Sequence, residues 1–480
     1  RRVHGESSQN SQLKSTMKTF VFLTLFYYFV NAFQANENPV IQTMEEFSGY
    51  VFREPTSSFP PPISLSVHSD TLYTQIEELS AFSDTPPPSV TRIVFTPNDV
   101  AARLYIKTLM SDADLTIRED DVGNIFGRWE GEESDIPAVA SGSHIDAIPY
   151  AGKYDGVIGV LGAVEAINAL KRGGFRPRRS IEVVMFTSEE PTRFGIGCLG
   201  SRLLAGNELL AERLKTTVDN KNVSFLEAAR AAGYANGGEI GNVSLKKGEY
   251  AAFIELHIEQ GPILEAEGVE IGIVTAIAAP ASIKVAFDGN GGHAGTVLMP
   301  DRNDAGLAAA ELAIAVEKHV LESGSIDTVG TVGVIEIHPG AVNSIPSKSR
   351  LEIDARDIDE ERRDGVVEKI RRSSMAISEN RGVKLSEFKI VNKDPPAHSD
   401  ELVIEAMEAA SRELNLTHKY MISRAYHDSL FMARVSPTGM IFIPCFRGYS
   451  HRPEEFASSK DMENGVKVLA LALAKLSVSP

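Results

Sequence analysis

Four short stretches of this chain place histidines and carboxylates where they can converge on cations. The first, SGSHIDAIPYAGKYDG from Ser141 to Gly156, carries His144, Asp146 and Asp155. The second, Thr187 to Glu190, ends in the adjacent carboxylates Glu189 and Glu190. Leu256 to Pro262 adds His257 and Gln260, and Ser450 to Glu454 adds His451. Imidazole and carboxylate are good ligands for zinc, manganese and similar ions. Two adjacent carboxylates at a strand end point in different directions, so one can ligate while the other moves a proton. Each stretch also has a plainer reading. His144 can cap a helix with Asp155 as its N-terminal anion, and Glu189-Glu190 can be a solvated acidic turn. Against four separate coincidences stands their common setting, since each lies at or just beyond the end of a predicted strand.

Holding four strand ends together requires a sheet. Ala138 to Ala140 read as a buried strand, and Val157, Val160, Leu161, Val164, Ile167 and Leu170 form the inner face of a helix. Ile181 to Phe186 and Tyr250 to His257 are further apolar strands, and Leu115 to Arg118 with Asn124 to Glu130 look paired. Strand, helix, strand in this order predicts an α/β domain with a mostly parallel sheet, whose ligands lie at the strand ends. Around Val274 the pattern changes to βαββαβ, with strands at Ala281 to Phe287, Thr328 to His338, Lys348 to Ala355 and Leu385 to Val391. That order suits an inserted ferredoxin-like α+β domain. The expected division is a leader with signal peptide at 1–36, an extended lead-in at 37–67, catalytic segments at 68–273 and 393–480, and the insertion at 274–392.

Composition sets limits on partners. The 480 residues carry a formal net charge of −17, with 43% hydrophobic and 24% charged residues. That acidic balance opposes a nucleic-acid partner, which needs clustered cations, and opposes stable adsorption to anionic membranes. The run from Met17 to Val30, one lysine followed by apolar residues and then Ala32 and Ala35, has the layout of a secretory signal peptide. It predicts the endoplasmic reticulum, with secretion as the alternative. Sequons at Asn222, Asn242 and Asn415 agree with that route. The two cysteines, Cys198 and Cys445, leave open one bridge or two buried thiols.

GSHID, YDGVIGVLGAVEAI, FTSEEPTRFG, ELHIEQGPILE and GNGGHAG, in this order, resemble the M20 family of metal-dependent amidohydrolases and peptidases. Within it they resemble the branch acting on allantoate and ureidoglycolate, over a span from about Ile41 to the C-terminus. The resemblance implies two divalent ions per subunit, manganese in the plant members, while the ligands suit zinc equally. His144, Asp155 and His257 would hold one ion, and Asp155, Glu190 and His451 the other, with Asp155 bridging. Glu189 would be the general base and Asp146 would orient His144. His257 departs from the peptidase branch, which has a carboxylate there.

The same resemblance implies that the inserted domain is a lid and dimerisation domain of a homodimer. His293, within Gly289 to Gly295, would then donate to the oxyanion in the partner's active site. Asn343 and Arg356 would contact substrate, Arg356 through a fork suited to a carboxylate. Gln260, Tyr426 and His427 would complete the pocket. The implied substrate is a small ureide: (S)-ureidoglycolate, hydrolysed at its ureido carbonyl to ammonia, carbon dioxide and hydroxyglycine that decays to glyoxylate. Allantoate and then N-carbamoyl amino acids are the alternatives, and a non-catalytic ureide- or peptide-binding protein is the alternative of another class. On the residues alone, Arg356 can equally pair with Asp354 or Asp357 at the surface, and Tyr426 and His427 can be core residues.

Overall fold

The computed structural model describes residues 64–479 apart from 236, 238, 239 and 242, all within one compact unit, Phe52–Pro480. The expected signal peptide and the Asn242 sequon lie outside the described residues. Among the described residues no helix is long and apolar enough to cross a membrane.

Strands β1 (Thr116–Glu119), β2 (Ile125–Trp129), β3 (Ala138–His144), β4 (Ile181–Phe186), β5 (Tyr250–Ile258) and β6 (Ile271–Ile277) belong to a nine-stranded sheet. The chain then builds a separate four-stranded sheet from β7 (Ala279–Asp288), β8 (Val329–His338), β9 (Lys348–Asp357) and β10 (Lys384–Lys393). It returns to the large sheet with β11 (Ala397–His398), β12 (His418–Ser423) and β13 (Thr438–Ile443). The helices that cover the two sheets include α1 (Ser69–Ser80), α2 (Val157–Arg172), α3 (Ala305–Leu321), α4 (Glu360–Arg381), α5 (Glu401–Glu413) and α6 (Ser459–Val478).

The large sheet runs β11–β6–β13–β5–β3–β4–β2–β1, with β12 also beside β6. Its central strands β13, β5, β3 and β4 are mutually parallel. The pairs β1–β2, β2–β4, β6–β13 and β6–β11 are antiparallel. The fold is α/β as expected, but the sheet is mixed rather than mostly parallel. The cause is local at one edge: residues 120–124 join β1 to β2 as a hairpin, whereas a parallel neighbour needs a crossover such as α2.

Every residue of β3 and β4 is buried, and apart from His144 and Glu182 both strands are apolar or small on each face instead of alternating. Helices α2 and α6 pack on one face, backed by α1 and α5. The N-cap of α6 is Ser458, whose side chain accepts from Asp461 N, and the run Val466 to Leu476 supplies its buried side. On the other face Ala138, Ala140, Val184, Phe186 and Phe253 join Leu204 and Met432 in a second core. Full burial of one such phenylalanine contributes about 1.5–3 kcal/mol.

The smaller sheet has the order β10–β7–β9–β8, antiparallel throughout, with α3 and α4 packed against it over a core of its own. The element order is the expected βαββαβ. Val274, where the sequence pattern changes, lies inside β6, and the smaller sheet begins at Ala279. Only Ala278 separates β6 from β7, so no turn residue marks the change of sheet.

Candidate active site

Because β13, β5, β3 and β4 are adjacent and parallel, their C-terminal ends share one edge of the sheet. His144 is the last residue of β3, His257 is next to last in β5, and Glu189 and Glu190 follow β4. His451 arrives on the loop after β13, and Asp155 on the loop between β3 and α2. The four stretches therefore meet.

Asp155 is the centre of the cluster. Its Oδ1 lies 3.1 Å from His257 Nε2 and 3.5 Å from His144 Nε2. Its Oδ2 lies 3.4 Å from His451 Nε2, which is 3.1 Å from Glu190 Oε1. Two donors at ~2.1 Å from one tetrahedral ion stand roughly 3.4 Å apart, so these spacings fit one cation between His144, Asp155 and His257. They equally fit a second between Asp155, Glu190 and His451, and in each trio the ligand atoms all lie within 4.8 Å of one another. The donor set of imidazoles and carboxylates suits a divalent metal. Gly156 makes the geometry possible: it has φ +67°, and a Cβ there would meet His144 Nε2 at 2.4 Å.

The site's charge follows the same pattern. Burial disfavours the Asp155 carboxylate, yet hydrogen bonds from His144, His257 and His451 outweigh it and hold the group well below the usual range. Burial also opposes charge on His144 and His257, while Asp155 prevails and raises both. Hydrogen bonds to Asp155 and then Glu190 push His451 up to about 11. A cluster that draws protons onto three histidines is one that attracts cations.

Glu189 sits apart from both trios. Its Oε2 lies 3.9 Å from His144 Nε2, and its Oε1 accepts from Cys198 Sγ at 3.1 Å. Burial raises its proton affinity well above the carboxylate range; His144 opposes this, while Glu190, Asp428 and Asp146 add to it. A carboxylate with its proton affinity raised in this way can both take and return a proton. Asp146 stands behind the pair. Its Oδ1 and Oδ2 accept from the backbone amides of Glu189 and Glu190 at 3.1 and 3.0 Å, and its Oδ1 is 3.6 Å from His144 Nδ1.

A cleft of about 750 Å³ opens onto these groups. Gln260 and Tyr426 line it, as does Arg356 from β9. Gln260 Nε2 donates to Asp155 Oδ2 at 2.6 Å, alongside Ser450 Oγ at the same distance. Tyr426 donates to Asp394 Oδ2 at 2.5 Å. Arg356 both faces the cleft and pairs with Asp354 at 2.8 Å, while Asp357 is taken by Arg362. His427 is not among the lining residues. It is buried behind His257, with ring centroids 4.7 Å apart, and its Nε2 meets Ser423 Oγ at 2.8 Å.

His293 and Asn343 lie together on the four-stranded domain, both exposed, where Ala294 N donates to Asn343 O at 2.9 Å. Neither lines the cleft of its own chain. Two groups in the site escape the sequence reading. Cys198, free and buried like Cys445, carries the thiol that holds Glu189. Glu455 is a buried carboxylate whose Oε1 accepts from the amides of Tyr154 and Asp155. A second adjacent glutamate after a histidine, as in HRPEE, is the one signal that marks Glu455 in the sequence.

The likeness to known proteins is of the same extent as the motifs. Over 450 residues, 93% of this chain and 94% of the relative, the sequence is 69% identical to ureidoglycolate hydrolase of Arabidopsis thaliana. Crystal structures of AtUAH in complex with glyoxylate and with (S)-hydroxyglycine each superpose with a TM-score of 0.81 at 71% identity, covering 87% of this chain and 99% of that one. Residues 140–475, which hold every member of the cluster, match Peptidase family M20/M25/M40, and the chain belongs to that family.

Proposed function

We propose that the chain hydrolyses (S)-ureidoglycolate at its ureido carbonyl, giving ammonia, carbon dioxide and hydroxyglycine, which decays to glyoxylate. The observation that carries this reading is the junction of Glu189 with two histidine–carboxylate trios that share Asp155, in a chain so similar to a ureidoglycolate hydrolase. His144, Asp155 and His257 hold one divalent ion and Asp155, Glu190 and His451 the other, manganese or zinc. When bound, such ions polarise a carbonyl and lower the pKa of water.

The chain's own groups do the rest. Glu189 takes the proton of the attacking water and returns one to the leaving nitrogen, with Oε1 fixed by Cys198 and Oε2 free to carry it. Asp146 fixes the backbone from which Glu189 and Glu190 project. Arg356 offers its guanidinium to the substrate carboxylate, and Gln260 and Tyr426 bound the pocket.

The four-stranded domain acts as lid and dimerisation domain between the catalytic segments 68–273 and 393–480. Support comes from its outer surface. Leu307, Ile314 and Leu321 recur at seven-residue spacing along α3, each 44–78% exposed, and the edge strand β8 exposes Ile335 and Ile337. A homodimer covering this stripe and edge brings an exposed His293, with Asn343, to the partner's cleft as oxyanion and substrate donors. The chain works in the endoplasmic reticulum, a reading that rests on the run Met17 to Val30.

The test is a substrate panel. Protein loaded with manganese is given (S)-ureidoglycolate, allantoate and N-carbamoyl amino acids in turn, and ammonia and glyoxylate are assayed. Ureidoglycolate should be turned over with the highest kcat/KM. Turnover of allantoate alone would overturn the substrate choice, and binding without turnover of any of them would overturn the enzyme reading.

A further inference from the structure

Asp155 is asked to face both ion positions, yet it projects from a loop, not from a strand end like His144 and His257. Something must hold that loop. The amides of Tyr154 and Asp155 both donate to Glu455 Oε1, at 2.7 and 2.9 Å. Glu455 is only 3% exposed, and its Oε2 is buried with no hydrogen-bond partner. The loop leaves room for this carboxylate at Gly152, where a Cβ would meet Glu455 Cβ at 2.3 Å. Glu455 in turn closes the loop that carries His451: its own amide donates to Arg452 O at 3.1 Å, and His451 is held at φ +59°. Burying a carboxylate beside Asp155 is costly, and an apolar residue would fill the space without that cost. What an apolar residue lacks is an acceptor for two convergent N–H groups.

We propose that Glu455 is a positioning residue for the second cation, tying the loop of Asp155 to the loop of His451 so that both ligands stay in register with Glu190. The inference rests on reading the cluster as a two-cation centre. It follows that loss of the acceptor loosens the Asp155–Glu190–His451 ion far more than the ion at His144 and His257, whose histidines are fixed by β3 and β5. The glutamine amide oxygen can accept the same two N–H groups, so position rather than charge is what the site needs.

Chelator-treated wild type, E455A, E455D and E455Q are titrated with manganese chloride by calorimetry, and bound metal is counted by elemental analysis. Urea unfolding in chelator is run alongside. Wild type should take up two ions. In E455A and E455D the Kd of one of the two ions should rise ~10–100-fold, with the other within about threefold, and E455Q should restore most of the loss. Wild type with fewer than two ions would sink the two-cation reading itself. Two ions in wild type and unchanged affinities in E455A and E455D would overturn the role of Glu455 alone. Equal weakening of both ions, or no rescue by E455Q, would overturn it as well. A purely structural role would lower metal-free stability and leave the second ion's Kd unmoved.

Discussion

Asp146 offers the sharpest quantitative test of how the site is held, because its two oxygens serve two different amides. Replacing it with alanine removes the acceptor from Glu189 N and Glu190 N, both buried. A hydrogen bond to a charged group contributes ~1.5–3 kcal/mol, and an orphaned buried donor costs about as much. Against this stands the cost of the carboxylate's own burial, which raises Asp146 to about 6; the His144 charge lowers it, and Glu190 and Asp99 raise it further. That penalty is on the order of 3 kcal/mol at neutral pH, and against the ~3–6 kcal/mol of the two amides it leaves a net loss of ~0–3 kcal/mol in Asp146→Ala. Asp146→Asn keeps one acceptor and turns an NH₂ toward the other amide, so it should fall between wild type and alanine. Urea unfolding in chelator measures this term without metal. With metal restored, kcat should drop ~10–100-fold in Asp146→Ala as Glu189 and Glu190 lose their alignment, while His144 Nδ1 keeps its 3.1 Å contact with the backbone oxygen of residue 146. An alanine variant within about 0.5 kcal/mol of wild type, with wild-type kcat, would mean that the two amides do not depend on this carboxylate.

Two further outcomes follow from charge and from surface. In the metal-free chain Asp155 and its neighbours raise His144, His257 and His451, with His451 pushed up to about 11; a cation must displace those protons. Manganese affinity should therefore climb as pH rises from 6 through 8, and calorimetry in buffers of different ionisation enthalpy should show net proton release. Uptake with no release would contradict the charge assignment. On α3, Ile314→Glu with Leu321→Glu should convert the proposed dimer to monomers in light scattering and cut kcat/KM ~10²–10³-fold, the loss expected where a second copy supplies His293 as oxyanion donor. A fully active monomer would place the oxyanion donor elsewhere.

The ligand-bearing stretches are legible because each breaks an apolar run with histidine or carboxylate, a contrast that survives without knowledge of the fold. His144, Asp155, Glu190, His257 and His451 meet where that contrast places them. Groups that only support the site leave weaker marks. Cys198 reads as an ordinary buried thiol, and its contact with Glu189 depends on a left-handed residue, φ +52°, that brings it back across the turn. Glu255 lies inside β5 among apolar neighbours, is buried, and accepts from Ser143 and Ser429. His427, expected in the pocket, is put one layer back by its burial, with His257 between it and Asp155 in the cluster. The hand-over between sheets at Ala278 and the antiparallel edges of the large sheet are hidden for the same reason, since pairing partners are set by tertiary packing rather than local pattern.

Whether a buried carboxylate beside two cation positions carries the proton is decided by Glu189→Gln. The amide is nearly isosteric and can still accept from Cys198, but it cannot take a proton from water. The expected outcome is two bound metal ions per chain, wild-type substrate affinity, and a kcat for (S)-ureidoglycolate lowered ~10²–10⁴-fold. Turnover near the wild-type rate with both ions in place would contradict it.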